Sequence, residues 1–237
     1  MTAHPWELVL VRHGQTPCTL AGRFCGAHDP ALTEVGQHMA ERLATHPAVR
    51  KADRVVTSPM TRAVATAGLA LAGSGRNPAV DDRLRELSFG GWENRLPREV
   101  GEAEGDALAR WRGDPALHAP PNGESGLQVM ARAVACVREV MGTAGSVVLV
   151  SHKAPIRLVL AYFLGIPPAR YRDIGAVPVG SVSRLRLTRD RAEVLSLGDV
   201  SHLPEDWRLD PDRACPLPEG GLLPTGGRGD GSAGVTE

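Results

Sequence analysis

The sequence predicts an α/β domain of three layers, with helices on both faces of a central sheet that is mainly parallel. The prediction comes from three short apolar runs, at residues 7–11, 54–57 and 146–150, each followed by a polar turn. Apolar runs of this length are typical of strands that are buried on both faces of a parallel sheet. A helical pattern follows the second and third runs, and the alternation of strand and helix favours parallel connections.

The helices are predicted at residues 59–72 and 154–164, where Pro59 and Pro155 fall at positions that tolerate a proline in the first turn. Between the second and third strands, apolar residues repeat at the spacing of one helical face. They are Leu127, Met130, Ala131, Val134, Val137 and Met141. Residues 181–187 and 192–197, separated by a Thr-Arg-Asp-Arg turn, predict a late hairpin at a sheet edge.

Length and composition limit the classes of partner and the cellular location that are expected. The chain has 237 residues, 42% of them hydrophobic and 23% charged, with 27 Lys and Arg against 27 Asp and Glu. Because the charges balance, neither nucleic acid nor a membrane surface is expected as a partner. Without an apparent leader or apolar span, the chain is expected in the cytoplasm. Its four cysteines are expected to be reduced thiols, and a zinc site has little support.

Composition also suggests where the domain ends. Residues 204–237 contain five prolines and seven glycines, and such a segment buries too little apolar surface to offset its ordering entropy. We therefore predict one domain over residues 1–203 and a disordered tail over residues 204–237.

Polar clusters follow the three predicted strands, at residues 12–16, 58–62 and 151–153. Carboxyl ends of parallel strands meet at one edge of a sheet, so these clusters are expected to converge. They contain Arg12, His13, Arg62 and His152, which form a cationic pocket in a chain without net charge. Guanidinium groups bind phosphate oxygens in pairs, and Gly14 allows close approach of the backbone to a ligand. A tetrahedral dianion is the expected ligand.

Eight blocks in order resemble the histidine phosphatase superfamily, also called the phosphoglycerate mutase-like family. The first is L-V-R-H-G-Q-T at residues 10–16, and the resemblance covers about residues 7–203. The others lie at residues 22–26, 32–36, 57–67, 84–93, 123–125 and 150–152, with D-V-S-H-L closing the match at residues 199–203.

The resemblance implies His13 as the nucleophile, with Arg12, Arg62 and His152 binding the phosphoryl oxygens and Glu86 as the proton donor. Phosphoryl transfer needs fixed positive groups and an in-line nucleophile, which fits these residue types. The arginines and His152 supply the charge, so neither a metal nor a cofactor is expected. Asp81, Asp82 and Glu93 lie near Glu86 in the sequence and compete with it for the role of donor.

Further residues are expected to bind substrate: Gly14, Gln15, Thr16, Thr19, Gly26 and Lys153. Thr19 stands where the family usually has an asparagine, which leaves that phosphate contact in question. Lys153 replaces a small residue, and its ammonium is a candidate for a second anionic group. Ser58 and Ser151 are expected to orient the histidines, and Phe89 and Trp92 to lie in the core or the pocket wall.

Three functions are compatible with this pocket. The first is hydrolysis of a small phosphorylated metabolite; the second is a phosphomutase; the third is a protein that only binds a phosphorylated ligand. F-G-G-W-E after Glu86 resembles the phosphatase branch, and the 65 residues from 87 to 151 leave little room for a mutase lid. Residues 95–122 are expected to form a substrate-selecting lid. The sequence does not identify the substrate, and it leaves open whether the chain forms a homodimer.

Overall fold

The computed structural model describes residues 5–142, 145–189 and 191–208. Its strands are β1 (Trp6–Arg12), β2 (Arg54–Thr57), β3 (Ala79–Val80), β4 (Ser146–Ser151), β5 (Val182–Leu187) and β6 (Ala192–Asp199). Its α-helices are α1 (Pro17–Leu20), α2 (Glu34–Leu43), α3 (Pro47–Lys51), α4 (Thr61–Ala70), α5 (Pro97–Gly113), α6 (Gly126–Met141) and α7 (Lys153–Leu164). Short 3-10 helices are Asp82–Leu84, Gly90–Trp92, Pro168–Asp173 and Glu205–Trp207.

The strands form one six-stranded sheet in the order β3-β2-β4-β1-β5-β6. The pairs β1–β4, β2–β4 and β2–β3 are parallel, whereas β5 and β6 pair antiparallel at the other edge. The three predicted strands and the late hairpin are therefore confirmed.

Alternate residues of the central strands pack on opposite faces of the sheet. On β1, Leu8 and Leu10 join a core with α6 and α7, while Val9 and Val11 join a second core with α2, α3 and α4. Strands buried on both faces have no polar face, which is why their sequences read as continuous apolar runs. The predicted three-layer α/β/α fold is confirmed.

Two details of the helix predictions were wrong. Helix α4 begins at Thr61 after the N-cap Met60, so Pro59 precedes the helix, whereas Pro155 lies in the first turn of α7 as predicted. Leu127 and Ala131 on α6 are exposed. The helix packs against the sheet and α7 together, and this wider contact also buries other residues. These are Val129, Ala133, Cys136 and Val140.

The expectation of four reduced thiols was also wrong. Cys18 and Cys25 form a disulfide, because the turn after α1 returns the chain until their Cα atoms are 5.9 Å apart. Cys136 is a buried free thiol, and burial, followed by the charge of Asp81, raises its pKa to about 12. Cys215 lies outside the described residues.

The proposed boundary at residue 203 stays a prediction. The described chain continues to Arg208, and Trp207 stacks on His38 with their ring centroids 6.0 Å apart. Residues 1–4 and 209–237 lie outside the described residues. Of the helices that are described, none is long and apolar enough to cross a bilayer.

Candidate active site

The three polar clusters meet at the carboxyl edge of the parallel strands, as the strand pattern predicted. His13 follows β1, and its main-chain N–H donates to the Ser151 carbonyl at 3.1 Å. Ser58 follows β2, and its N–H donates to the Val150 carbonyl at 2.9 Å. These ladder bonds place His13, Ser58 and His152 side by side, although the sequence separates them widely.

His13 is 2% exposed, and its ring is oriented by its neighbour. Its Nδ1 lies 2.7 Å from the Gly14 carbonyl oxygen, so Nδ1 carries the proton and donates it. That tautomer places the lone pair on Nε2, the atom that can act as a nucleophile.

His152 is fully buried, with its ring centroid 5.1 Å from that of His13. Its Nε2 lies 2.8 Å from the Ser58 hydroxyl oxygen, and its Nδ1 has no hydrogen-bond partner among the described residues. Burial lowers the pKa of this imidazole well below its usual value, and the charges of Arg62 and Arg12 lower it further. His152 is therefore neutral at physiological pH, with one buried nitrogen available to a ligand.

Arg62 is fully buried at the start of α4 and is held on one side. Its Nη1 donates to the His28 carbonyl and the Asp29 carboxylate, both at 3.0 Å, and its Nη2 to the Gly26 carbonyl at 3.0 Å. Three of five N–H groups are thus used within the described residues. The remaining Nε–H and second Nη2–H lie on one edge of the guanidinium, which matches two phosphoryl oxygens.

The electrostatics keep Arg62 charged although it is buried. Burial lowers the pKa of its guanidinium, while the carboxylates of Glu86 and Asp29 oppose that shift. Arg12, 4% exposed, is anchored by an Nη1 bond of 2.8 Å to the Val177 carbonyl. Both predicted phosphate-binding arginines are therefore fixed by main-chain carbonyls at the same sheet edge.

Glu86 lies on the segment after the Asp82–Leu84 turn, at the wall of a cavity. Its Oε1 accepts from the N–H of Leu87 at 2.9 Å and from that of Ala154 at 3.3 Å. Desolvation raises the pKa of its carboxyl group, against opposing effects of the Leu87 N–H and of Arg62. A carboxylic acid with a raised pKa is suited to donate a proton near neutral pH.

The three competing carboxylates are occupied elsewhere. The Arg83 guanidinium binds Asp81 and lowers its pKa to about 2, so Asp81 is ionised. Asp82 is exposed and pairs with Arg85. The Glu93 Oε1 accepts from three donors that tie two loops together: the N–H of Ala27 at 2.9 Å, the N–H of Phe89 at 3.1 Å and the Ser88 hydroxyl at 3.2 Å.

Several predicted substrate-binding residues have structural contacts within the described chain. A Cβ atom on Gly14 would collide with the Gly36 carbonyl oxygen, so packing between two loops already requires this glycine. The Gln15 side chain accepts from the Thr33 hydroxyl at 2.9 Å. Gly26 adopts a φ of 52° and positions Arg62 through its carbonyl.

Thr16 and Thr19 form a capping box at the start of α1. The Thr19 hydroxyl accepts from the Thr16 N–H and donates to the Thr16 carbonyl, both at 2.9 Å. Lys153 is the first residue of α7 and is partly exposed. Contacts of Thr19 and Lys153 with a substrate stay predictions.

The cavity at this edge is lined by Ala27, Asp29, Pro59, Met60, Arg85, Glu86 and Ser88. A separate aromatic cluster consists of Phe24, Phe89, Trp92 and Trp111. Trp92 is fully buried, so it belongs to the core, and α5 covers it within the predicted lid region. A lid function for residues 95–122 stays a prediction.

Sequence reasoning missed Asp29, which bonds the Arg62 side chain and also accepts from the Thr61 N–H at 2.7 Å. No motif marks this residue, because its partners lie 32 and 33 positions away. Over residues 5–142, 145–189 and 191–208, no group of three or more His, Cys, Asp or Glu side chains is arranged to hold a metal ion.

Comparison with known proteins agrees with this architecture. A glucosyl-3-phosphoglycerate phosphatase of Mycolicibacterium vanbaalenii is 34% identical over 216 residues, which are 86% of this chain and 92% of that protein. An adenosylcobalamin/alpha-ribazole phosphatase of Salmonella typhimurium is 34% identical over 168 residues, or 69% and 82% of the two chains. The solved structure of a mycobacterial glucosyl-3-phosphoglycerate phosphatase with VO3 has a TM-score of 0.74 and 29% identity, covering 81% of this chain and 98% of its own.

A family model described as the histidine phosphatase superfamily (branch 1) matches residues 8–200, which contain β2 to β6, most of β1 and the whole candidate site. The convergent histidines and arginines, the three-layer fold and this match give one conclusion: the chain belongs to branch 1 of the histidine phosphatase superfamily.

Proposed function

We propose that the chain hydrolyses a small phosphomonoester without a metal, through a phosphohistidine intermediate on His13. The observation that carries the proposal is the bond of 2.7 Å between Nδ1 of His13 and the Gly14 carbonyl, because it directs the lone pair of a buried imidazole to Nε2. The relatives are named phosphatases, which supports the assignment to the phosphoric monoester hydrolases.

In the first step, Nε2 of His13 forms a bond to phosphorus while the bond from phosphorus to the ester oxygen breaks. Glu86, whose carboxyl group has a raised pKa, gives a proton to the leaving oxygen. In the second step, Glu86 takes a proton from water as the water oxygen bonds to phosphorus and the bond from phosphorus to Nε2 of His13 breaks. Inorganic phosphate leaves, and His13 and Glu86 return to their first states.

Charge on the transferring group is balanced by Arg12, by the Nε/Nη2 edge of Arg62 and by the Nδ1–H of His152. All three side chains are buried and held in place before a substrate binds, so little reorganisation is needed in the transition state. Fixed guanidinium groups provide the positive charge that a metal ion supplies in other phosphoryl-transfer enzymes. This charge is the reason for proposing that the reaction is metal-independent.

The names of the relatives suggest two substrate classes to test first. One relative is named for a glycosylated phosphoglycerate and another for a ribazole phosphate. We propose a panel of phosphorylated metabolites containing both classes, simple sugar phosphates and phosphoglycerates, assayed for release of inorganic phosphate.

Product analysis by phosphorus NMR separates the three candidate functions. The proposal predicts inorganic phosphate and the dephosphorylated alcohol as the products. An isomeric phosphate ester without inorganic phosphate would favour a phosphomutase. Saturable binding of the same esters with no turnover of any of them would favour a binding protein.

A further inference from the structure

One side chain outside the phosphate pocket, that of Arg132, makes several hydrogen bonds to the segment that carries Glu86. Arg132 lies on α6 with 14% of its side chain exposed, and all five of its N–H groups are used. Its Nε and one Nη2–H bind the two carboxylate oxygens of Glu124 at 3.0 and 2.9 Å. The other three N–H groups bind main-chain carbonyls.

Those three carbonyls lie within residues 83–86, at the end of which Glu86 is located. Nη1 of Arg132 donates to the carbonyls of Arg83 at 2.8 Å and Arg85 at 2.7 Å, and Nη2 donates to that of Glu86 itself at 3.0 Å. Between the 3-10 turns Asp82–Leu84 and Gly90–Trp92 the segment has no regular structure. Arg132 therefore supplies hydrogen bonds that a helix or a strand would otherwise supply.

Glu124 completes the attachment on the far side of Glu86. Its Oε2 accepts from the Ser88 N–H at 3.1 Å, and its own N–H donates to the Ser88 carbonyl at 2.9 Å. The carboxylate is 18% exposed and is held bidentately by Arg132, so both partners are in a fixed geometry. Main-chain groups before, at and after Glu86 are thus held by one ion pair.

We propose that Arg132, together with Glu124, is a positioning residue for the general acid Glu86. The inference rests on the proposed function. A proton donor is effective only within hydrogen-bond reach of the leaving oxygen, and small misplacements lower the rate of transfer. Arg132 does not touch the substrate; it fixes the backbone from which Glu86 reaches the cavity.

Positioning of an acid has a kinetic signature that a general structural role lacks. Loss of protonation matters most for alkyl esters, whose leaving oxygen is strongly basic, and least for p-nitrophenyl phosphate, whose leaving group is weakly basic. The test is therefore kcat for an alkyl phosphate from the substrate panel and for p-nitrophenyl phosphate, measured in Arg132→Gln and Arg132→Lys. Lysine keeps the positive charge but has too few donors for five bonds.

We expect both variants to lose about 10- to 100-fold in kcat on the alkyl ester, part of the contribution of a general acid, and less than about threefold on p-nitrophenyl phosphate. Inhibition by inorganic phosphate should stay unchanged, because the phosphate-binding groups are intact. Glu124→Gln should show the same pattern more weakly, which keeps the test decisive if an Arg132 variant does not fold.

Arg184→Lys is the control, because Arg184 also pairs with a carboxylate, that of Glu7 at 2.7 Å, away from the segment that carries Glu86; its side chain is more exposed, at 33%. It should leave both esters unaffected. Equal losses on the two esters, or no loss on either, would overturn the inference. Glu86→Gln in the same assay distinguishes the proton-donor role of Glu86 from the positioning role of Arg132. If Glu86→Gln shows the leaving-group dependence and the Arg132 variants do not, the positioning role alone fails. Equal losses in Glu86→Gln would remove Glu86 as the donor, and the inference about Arg132 with it.

Discussion

The Nε2 atom of His152 lies 2.8 Å from the hydroxyl oxygen of Ser58, and both side chains are fully buried. The Ser58 oxygen also accepts from the Met60 N–H at 3.3 Å, so its own hydrogen is available to Nε2. A neutral imidazole that accepts at Nε2 carries its proton on Nδ1. We infer that Ser58 donates to Nε2, which leaves the proton on Nδ1, where His152 can donate it to a phosphoryl oxygen.

Ser58→Ala should weaken that donation. We expect kcat/KM to fall about 10-fold, the order of one lost charge-assisted hydrogen bond in the transition state, with little change in melting temperature. Ser183→Ala is the control, since Ser183 is equally buried and accepts from the Gly198 N–H away from the site. A variant as active as the native enzyme would contradict this role for Ser58.

Glu86→Gln tests the proton donor through the pH profile. Only the protonated acid can donate, and its pKa is raised, so activity on alkyl esters should persist to higher pH than an ordinary glutamate allows and then fall as the acid ionises. Glutamine does not titrate, so the residual activity of the variant should lack this basic limb. A basic limb that survives in the variant would assign it to another group.

The same substitution should change stability in a pH-dependent way. The pKa of Glu86 is higher in the folded than in the unfolded chain, so folding becomes less favourable as pH rises from the unfolded value through the folded one. Glu86→Gln removes that loss, and its Oε1 can still accept from Leu87 and Ala154. We expect the variant to be the more stable form above neutral pH and to lose this advantage in acid, measured by urea unfolding. An advantage that grows in acid would contradict the raised pKa.

Chelators should leave turnover unchanged, because the guanidinium groups of Arg12 and Arg62 carry the positive charge at the site. The measurement is phosphate release after dialysis against EDTA, with and without added Mg²⁺. Activity that is lost on dialysis and restored by the ion would overturn the metal-independent mechanism.

The sequence alone predicted those structural elements that a pattern of neighbouring residues determines. The strands β1, β2 and β4 appear as continuous apolar runs because both faces of each are buried, and the polar residues that follow mark one sheet edge. The two-residue strand β3 was not predicted, since two exposed residues leave no periodicity to detect.

Other features depend on contacts that no sequence pattern records. The disulfide between Cys18 and Cys25 depends on how tightly the turn after α1 closes. Three of the Arg132 acceptors are main-chain carbonyls 46 to 49 positions away, and carbonyls are the same in every residue type. The resemblance to the family suggested Glu86 as the proton donor. Only the structure distinguishes it from Asp81 and Glu93, because it shows that hydrogen bonds occupy those two carboxylates.

The central claim is that His13, and not His152, receives the phosphoryl group. The structure favours His13 because its Nδ1 is fixed by the Gly14 carbonyl, whereas Nε2 of His152 is engaged by Ser58. Rapid quench with phosphorus-labelled substrate, followed by peptide mapping, measures this directly. We predict an acid-labile, base-stable adduct on the peptide that contains His13, absent in His13→Ala and formed more slowly at the same position in His152→Ala. Label on the peptide that contains His152 would contradict the account.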